Sequence, residues 1–437
     1  MARNIAAADA GKLNNITDGT SRPRVGFRRL LRARFIIGIP FIIACAYIGV
    51  RLLFANTPDI ILPPPKPLPV GNVAPLFVQA GGLVLQRGSN RLINVPNVST
   101  AVLRREVARN ADALAIYHAN LDKPFGFPEP RSWKDSLSLH LDEVALAQLV
   151  QAEGRVYQAD HQWKAAARCY LDLYRWAQGF GRSGQLIEGL VQILIQAISV
   201  EPMDKLLDEC DESTHRMIGD RLLSLIQSNP SIGDAMRRYG IAQVARAQEW
   251  GRGEGWWSSQ KRGGSVLDLY EQLCDNIHEA RLRTEYRLNK LDALKDYQRY
   301  QESLAVRAST PSWMRRTLKL VSPPALFGAQ PLYVGCFEDS DRKTAAAQRI
   351  VIKARLLLYA RAHHGGLPAI LEELRLPLAV TTDPFTGHPL VYRRWAGTAP
   401  TSASAGIRSG FQIYSVGPDR VNNNGDPRLD VNGPIGM

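Results

Sequence analysis

Residues 141–178 read LDEVALAQLVQAEGRVYQADHQWKAAARCYLDLYRWAQ. Their apolar side chains return every three to four positions, the period that gathers them on one face of a helix. The polar step Asp160-His161 interrupts that pattern. The stretch therefore predicts two helices, Leu141 to Gln158 and Gln162 to Gln178, folded back as a helical hairpin. Helical periodicity begins near Thr100 and continues well past this hairpin, so the expected fold class is mainly α.

Within the hairpin, Gly154, Tyr157, Ala166 and Tyr170 fall on the tetratricopeptide (TPR) spacing. A glycine there lets two helices approach, and the aromatic rings fill the seam. Val150 stands where that repeat usually has Trp, and Gln178 where it usually has Pro. A shift of one repeat, about 34 residues, meets Glu188, Val191 and Val200 and no second copy. The expectation is one TPR-like hairpin and no array, offering a surface for a protein partner. Leu186, Leu190, Leu194 and Ile198 recur at i+4 with Ile187, Val191 and Ile195 beside them, which predicts a buried helix. Ser213 to Gln227 and Ser231 to Glu249 read as two more helices, parted by Pro230, which cannot continue the first. Arg252 to Gly264 is a Gly-rich loop carrying Trp256 and Trp257, a binding spot if exposed and a core pair if buried. Ser265 to Arg307 is a long helical stretch. Residues 281–319 carry ten basic side chains against Glu285, Asp292, Asp296 and Glu302. A nucleic-acid groove and a solvated helix face both fit that excess. With no stacking pattern or nucleic-acid motif beside it, the solvated face is expected, and no nucleic acid as partner.

The whole chain has 437 residues and a formal net charge of +13. Its 45% hydrophobic and 22% charged content exclude a disordered chain, a collagen and a polytopic membrane protein. Phe35 to Ala55 is one apolar run broken only by Arg51. It is long enough to cross about 30 Å of hydrocarbon as a helix. Eight basic side chains (Arg3, Lys12, Arg22, Arg24, Arg28, Arg29, Arg32, Arg34) precede it against Asp9 and Asp18. The positive-inside asymmetry then places the N-terminus in the cytoplasm and the bulk of the chain outside it, anchored once in a bacterial inner membrane. A cleaved signal peptide (Ala44-Cys45-Ala46) and a lipoprotein site at Cys45 are the alternatives. Leu62 to Pro69 (LPPPKPLP) predicts an extended polyproline spacer. Residues 72–98 give mixed signals, with a short hairpin the expectation.

Toward the C-terminus, Arg342 to His364 is helical, with Ile350, Ala354, Leu358 and Ala362 at i+4 and Gly365-Gly366 at its end. Pro368 opens a short helix through Leu374, and Thr382 to Gly387 is a turn cluster. Leu390-Val391-Tyr392 and Phe411 to Tyr414 read as strands. In order along the chain stand Leu358-Tyr359, His364-Gly365-x-x-Pro368, Asp383-Pro384-Phe385-x-Gly387, Tyr392 and Tyr414-Ser415-x-Gly417-x-Asp419. This order resembles the globular domain of the major pseudopilin of type II secretion, over about residues 343–430. The resemblance implies a small α+β module and a calcium-binding loop. On this sequence the oxygen ligands would be Asp419, Asn422, Asn424, Asp426 and Asp430, a donor set suited to a hard cation. An Asn/Asp/Gly turn without metal is the competing account. The prepilin cleavage signal is missing: Gly26-Phe27 is followed by Arg28-Arg29-Leu30-Leu31, with no acid. The overall layout resembles uncharacterised membrane-anchored envelope proteins of planctomycete-like bacteria.

No catalytic constellation emerges from the sequence. Asp383 and His388 could pair in one turn, but no nucleophile motif accompanies them. Ser415 lacks the Gly-x-Ser-x-Gly elbow. Cys169, Cys210, Cys274 and Cys336 are too widely spread for a zinc pattern. The expected organisation is a basic tail (1–34), a transmembrane helix (35–55), a linker (56–99), a helical domain (100–335) and a pseudopilin-like module (340–437). The expected function is a non-enzymatic envelope protein, with an extracytoplasmic hydrolase-like enzyme as the alternative.

Overall fold

A computed structural model describes residues 45–47, 49, 59–93, 98–132, 135, 140–251, 290–319, 321–322, 334–394, 410–426 and 430–431. The chain divides into two units, Met1–Thr57 and Pro58–Met437. In the first, Cys45, Ala46, Tyr47 and Gly49 are helical. The rest of the expected membrane segment 35–55 and the whole basic tail lie outside the described residues. So do the Trp256-Trp257 loop and Cys274.

The second unit is mainly helical. Its first helices are α1 (Ala74–Gln86), α2 (Ser89–Ile93), α3 (Thr100–Arg109) and α4 (Ala111–Asn120). Then come α5 (Leu141–Ala159), α6 (Trp163–Ser183), α7 (Leu186–Leu206), α8 (Glu212–Gln227) and α9 (Ile232–Gly251). The helical stretch 290–309 (α10) and the short α11 (Ser312–Arg315) lead to α12 (Val334–Ala362). A 3₁₀ turn over Leu371–Leu374, α13 (Leu378–Thr381) and the strands β1 (Val391–Arg394) and β2 (Phe411–Tyr414) complete it. The strands pair antiparallel, with Val391 opposite Tyr414 and Arg394 opposite Phe411.

The α5–α6 hairpin forms where the periodicity predicts it. The chain reverses through His161, whose φ of +57° takes the left-handed region. Gly154 sits at the seam, and a Cβ there would lie 2.3 Å from the buried Tyr170 ring. Gln178 does not end its helix as a proline would. Fully buried in α6, it donates to the Leu225 carbonyl at 2.6 Å.

Helix α7 is long and apolar enough to span a membrane, yet two thirds of its apolar window is buried in protein. It packs against α5, α6, α9 and α12. The expected i+4 row is not its most buried face: Leu190, Leu194 and Ile198 are half-buried. Glu188, Gln192, Gln196 and Ser199 lie deeper, each hydrogen-bonded. With neighbours on several sides, polar and apolar faces alike go inside.

Helix α12 closes the body by lying on α7 and α8. Ile350, Val351, Ile352, Ala354 and Leu356 are buried along it, while Leu358 is half-buried and Ala362 exposed. The same face carries cations to the end of α7. Arg349 and Lys353 reach the Asp204 carboxylate at 2.9 and 3.2 Å, and Lys353 also reaches Asp208 at 2.8 Å. Burial would raise the Asp204 pKa, but these two cations outweigh it and hold the group below the usual carboxylate value. One apolar core runs from Val73 through the α5–α6 hairpin to Ile350 and on to Phe411 and Ile413. Residues on both sides of position 340 thus share it.

Two expectations for the linker change. Residues 59–69 carry no regular structure, but they lie on the body instead of standing off it. Lys290 pairs with Asp59 at 2.5 Å, Gln248 donates to the Ile60 carbonyl at 3.1 Å, and Arg131 donates to the Pro63 carbonyl. Ile60 and Leu62 pack on a second core cluster that includes Leu186, Ile232 and Tyr297. A proline-rich segment has few N–H groups but keeps its carbonyls, and the body's donors take them up. Residues 72–98 form no hairpin where they are described; they are α1 and α2. Pro75 sits in the first turn of α1, where a missing N–H is no loss. Gly81-Gly82, a turn signal in the sequence, is interior to α1. A Cβ on Gly81 would meet the Asp142 carbonyl oxygen at 1.9 Å, so glycine here serves a backbone approach between α1 and α5.

This geometry separates two adjacent glycines. Gly81→Ala is expected to lower stability by about 1–3 kcal/mol through forced separation of α1 and α5. Gly82 has only the Asp142 carboxylate within reach, at 3.9 Å. Gly82→Ala is expected to be neutral or to stabilise by up to about 1 kcal/mol from helix propensity. Urea unfolding of both variants checks the contrast.

Candidate functional site

The C-terminal motifs meet at one side chain. Asp383 is 1% exposed, and its carboxylate accepts three hydrogen bonds. The Phe385 N–H gives one at 2.8 Å, the Ser415 hydroxyl one at 3.0 Å and the Val416 N–H one at 3.1 Å. The Ser415 oxygen in turn accepts from the Gly417 N–H at 3.2 Å. Burial raises the Asp383 pKa, and these donors oppose the rise. The backbone closes the turn around it: Gly387 N–H donates to the Asp383 carbonyl at 2.9 Å, and Asp383 N–H to the His388 carbonyl at 2.7 Å. Gly387 adopts φ +74°, and the Trp313 indole lies where a Cβ would be, at 2.7 Å. Phe385 is fully buried against Ala345 and Val431. Asp383 and His388 therefore meet through the backbone, and the carboxylate is committed to holding β2 and its following turn.

The five expected oxygen ligands lie along the loop after β2, where local hydrogen bonds join them in part. Asp430 accepts the Gly425 N–H at 2.7 Å and the Asn423 N–H at 3.3 Å. Asp419 accepts the Val421 N–H at 3.1 Å and the Asn423 side-chain amide at 2.8 Å. The Asn422 side-chain oxygen accepts from the Tyr414 hydroxyl at 2.7 Å and the Asn424 N–H at 3.0 Å. Asn424 accepts from Arg393 at 3.0 Å. Asp426 enters through its backbone, taking the Asp430 N–H at 2.7 Å. Left-handed backbone at Arg420, Asn424 and Gly425 makes the loop tight. Arg420 points away from it and donates to the Ser312 carbonyl. Among the described residues, no group of three or more His, Cys, Asp or Glu side chains is placed to hold a metal. The donor chemistry suits a hard cation, and an oxygen that accepts one N–H retains a further lone pair. The same bonds also hold the described part of the turn without metal.

A second polar cluster escaped the sequence reading. His140, 2% exposed, lies between two carboxylates, with Nδ1 3.0 Å from Glu143 and Nε2 3.1 Å from Glu188. The Phe127 and Phe180 rings enclose it, with centroids at 4.5 and 5.7 Å. Burial alone would lower its pKa, but the two carboxylates outweigh burial and lift it from 6.5 to about 9. Glu188 also accepts the Gln185 N–H at 2.7 Å, capping α7. The imidazolium thus ties the start of α5 to the start of α7. The Glu143 contact has an i+3 spacing visible in sequence; Glu188, 48 positions away, leaves no local signal. Cys45, exposed, and Cys169 and Cys210, both buried, take part in no disulfide among the described residues.

A group whose folded pKa is raised stabilises the fold below its unfolded pKa and loses that stabilisation as pH rises through the folded value. His140 is expected to contribute about 3 kcal/mol near pH 6 that disappears between about pH 6.5 and 9. Urea midpoints across that range should fall for the native chain. His140→Asn, which tolerates left-handed backbone, should flatten the fall. An unchanged slope in the variant would remove His140 as its source.

No known protein family, no curated protein and no solved structure matches this chain.

Proposed function

We propose that this chain is a non-enzymatic envelope protein, anchored once in the bacterial inner membrane through residues 35–55. Its helical body and pseudopilin-like C-terminal module would face away from the cytoplasm and bind a protein partner, in a secretion or pilus-like assembly. The observation that carries this reading is the Asp383 junction. The two motif segments behind the pseudopilin resemblance, Asp383-Pro384-Phe385-x-Gly387 and Tyr414-Ser415-x-Gly417, lie about thirty residues apart and bond directly. Residues chosen for their likeness to one family serve one another, as a shared module requires. The apolar run with its basic flank supports the anchor. The commitment of Asp383 and Ser415 to turn structure favours a scaffold over the hydrolase-like alternative.

The test is topology followed by crosslinking. A periplasm-dependent reporter fused after Met437 should be active, and one fused before Met1 inactive. Photo-crosslinkers on the exposed faces of α5 and α6, activated in intact membranes, should recover secretion or pilus components. A cytoplasmic C-terminus, or crosslinks confined to lipid and chaperones, would defeat the proposal.

Calcium at Asp419, Asn422, Asn424, Asp426 and Asp430 belongs to the same reading. Calcium in place of a chelator is expected to raise the melting temperature of the native chain, as ligand binding to the folded state requires. Asp419→Asn, at an exposed position, should abolish the rise. Equal melting temperatures in both buffers would leave the loop a metal-free turn.

A further inference from the structure

Where the C-terminal end of α12 passes the first turn of α8, the surface opens into a cleft of ≈ 440 Å³. That volume lies in the range of small-molecule sites, roughly 300–1,000 Å³. Its walls are chemically divided. Leu358 and Leu374, both half-buried, give an apolar side. Tyr359 and His363, one helical turn apart, stack with centroids 4.0 Å apart and planes at 28°, giving an aromatic side. Arg216, Arg355 and Arg361 supply the cations.

The charges at the cleft are unequally committed. Arg216 holds Glu212 at 3.0 Å, and Arg355 holds Asp220 at 2.5 Å. Glu373 is satisfied by the Ala369 and Ile370 N–H groups, at 2.7 and 3.2 Å, and by the Tyr359 hydroxyl at 3.0 Å. Those backbone donors, with Tyr359, keep Glu373 below the usual carboxylate range. They also fix the ring of Tyr359 in the wall. Arg361 is exposed and has no hydrogen-bond or ion-pair partner among the described residues. A guanidinium presents two parallel N–H donors that match one carboxylate. A phosphate dianion would call for more than one uncommitted cation.

We propose that this cleft binds an organic monocarboxylate with a planar or aliphatic body. Arg361 takes the carboxylate, while the Tyr359–His363 pair and the Leu358–Leu374 side hold the body. The site is separate from the Asp383 junction and does not depend on the membrane reading. Its ligand is either a free acid or the C-terminal carboxylate of a peptide, which share this chemistry.

Ligand-observed NMR on the full chain in detergent micelles tests it, with 3-phenylpropionate, N-acetylphenylalanine, 3-phenylpropionamide and phenyl phosphate as probes. Both carboxylates are expected to bind saturably, with Kd on the order of 1 mM. The neutral amide should bind at least about tenfold more weakly. Arg361→Gln should weaken the carboxylates by about tenfold with an unchanged melting temperature. Preference for N-acetylphenylalanine assigns the site to a chain end, and preference for 3-phenylpropionate to a free acid. Equal binding of amide and acid, indifference to Arg361→Gln, tighter binding of phenyl phosphate, or no saturable binding by about 10 mM would overturn the proposal.

Discussion

The polar stripe of α7 is the constraint on which the architecture turns. By length and hydropathy this helix could lie in a bilayer. Its inward face nevertheless carries Glu188, Gln192, Gln196 and Ser199, and each of those groups needs a partner away from water. The body is arranged so that the partners arrive. His140 comes from before α5 to Glu188, and Asn229 comes from the α8–α9 connection to both glutamines, at 2.9 and 2.8 Å. Lys343 comes from α12 to Gln196 at 2.6 Å. Lys343 is itself 1% exposed, and burial pulls its pKa down to about 8 against the opposing charge of Asp341. Three segments distant in sequence thus converge on one helix because leaving its polar groups unpaired would cost more than assembling around them.

Placement of α12 follows from the same need and serves the C-terminal part. Arg349 and Lys353 fasten it to the end of α7, and its apolar face completes the core. Gln348, on the same helix, donates to the Ala379 and Thr382 carbonyls at 2.7 and 3.1 Å, which sets the start of the Asp383 turn. Asp383 then holds Ser415 and Val416. The far end of α12 forms one wall of the carboxylate cleft. One helix therefore positions both the turn cluster and the cleft.

Local features were legible in the sequence to the extent that they depend on neighbours. The α5–α6 hairpin, the break at Pro230, the end of α12 at Gly365-Gly366 and the β1–β2 pair all fall close to where period and turn residues place them. The mixed signals of residues 72–98 did not resolve into helices, because a glycine such as Gly81 marks a turn and a close helix approach with the same letter. The proline-rich segment misled: its composition sets an extended backbone but says nothing of which donors will find its carbonyls. In the candidate loop, the sequence shows the oxygen-bearing residues but not how Asn423 joins Asp419 to Asp430.

By itself the sequence determined a mainly helical chain, with an apolar run behind a basic N-terminal segment and a turn-rich C-terminal stretch. Each of those properties is written in spacings of a few residues, which is the reach of helical period, turn chemistry and local charge. Only the tertiary structure decided that α7 is a core helix, that His140 lies between two carboxylates, and that Arg361 has no partner among the described residues. Those facts depend on which distant segments become neighbours, and burial, desolvation and pairing arise only once they have.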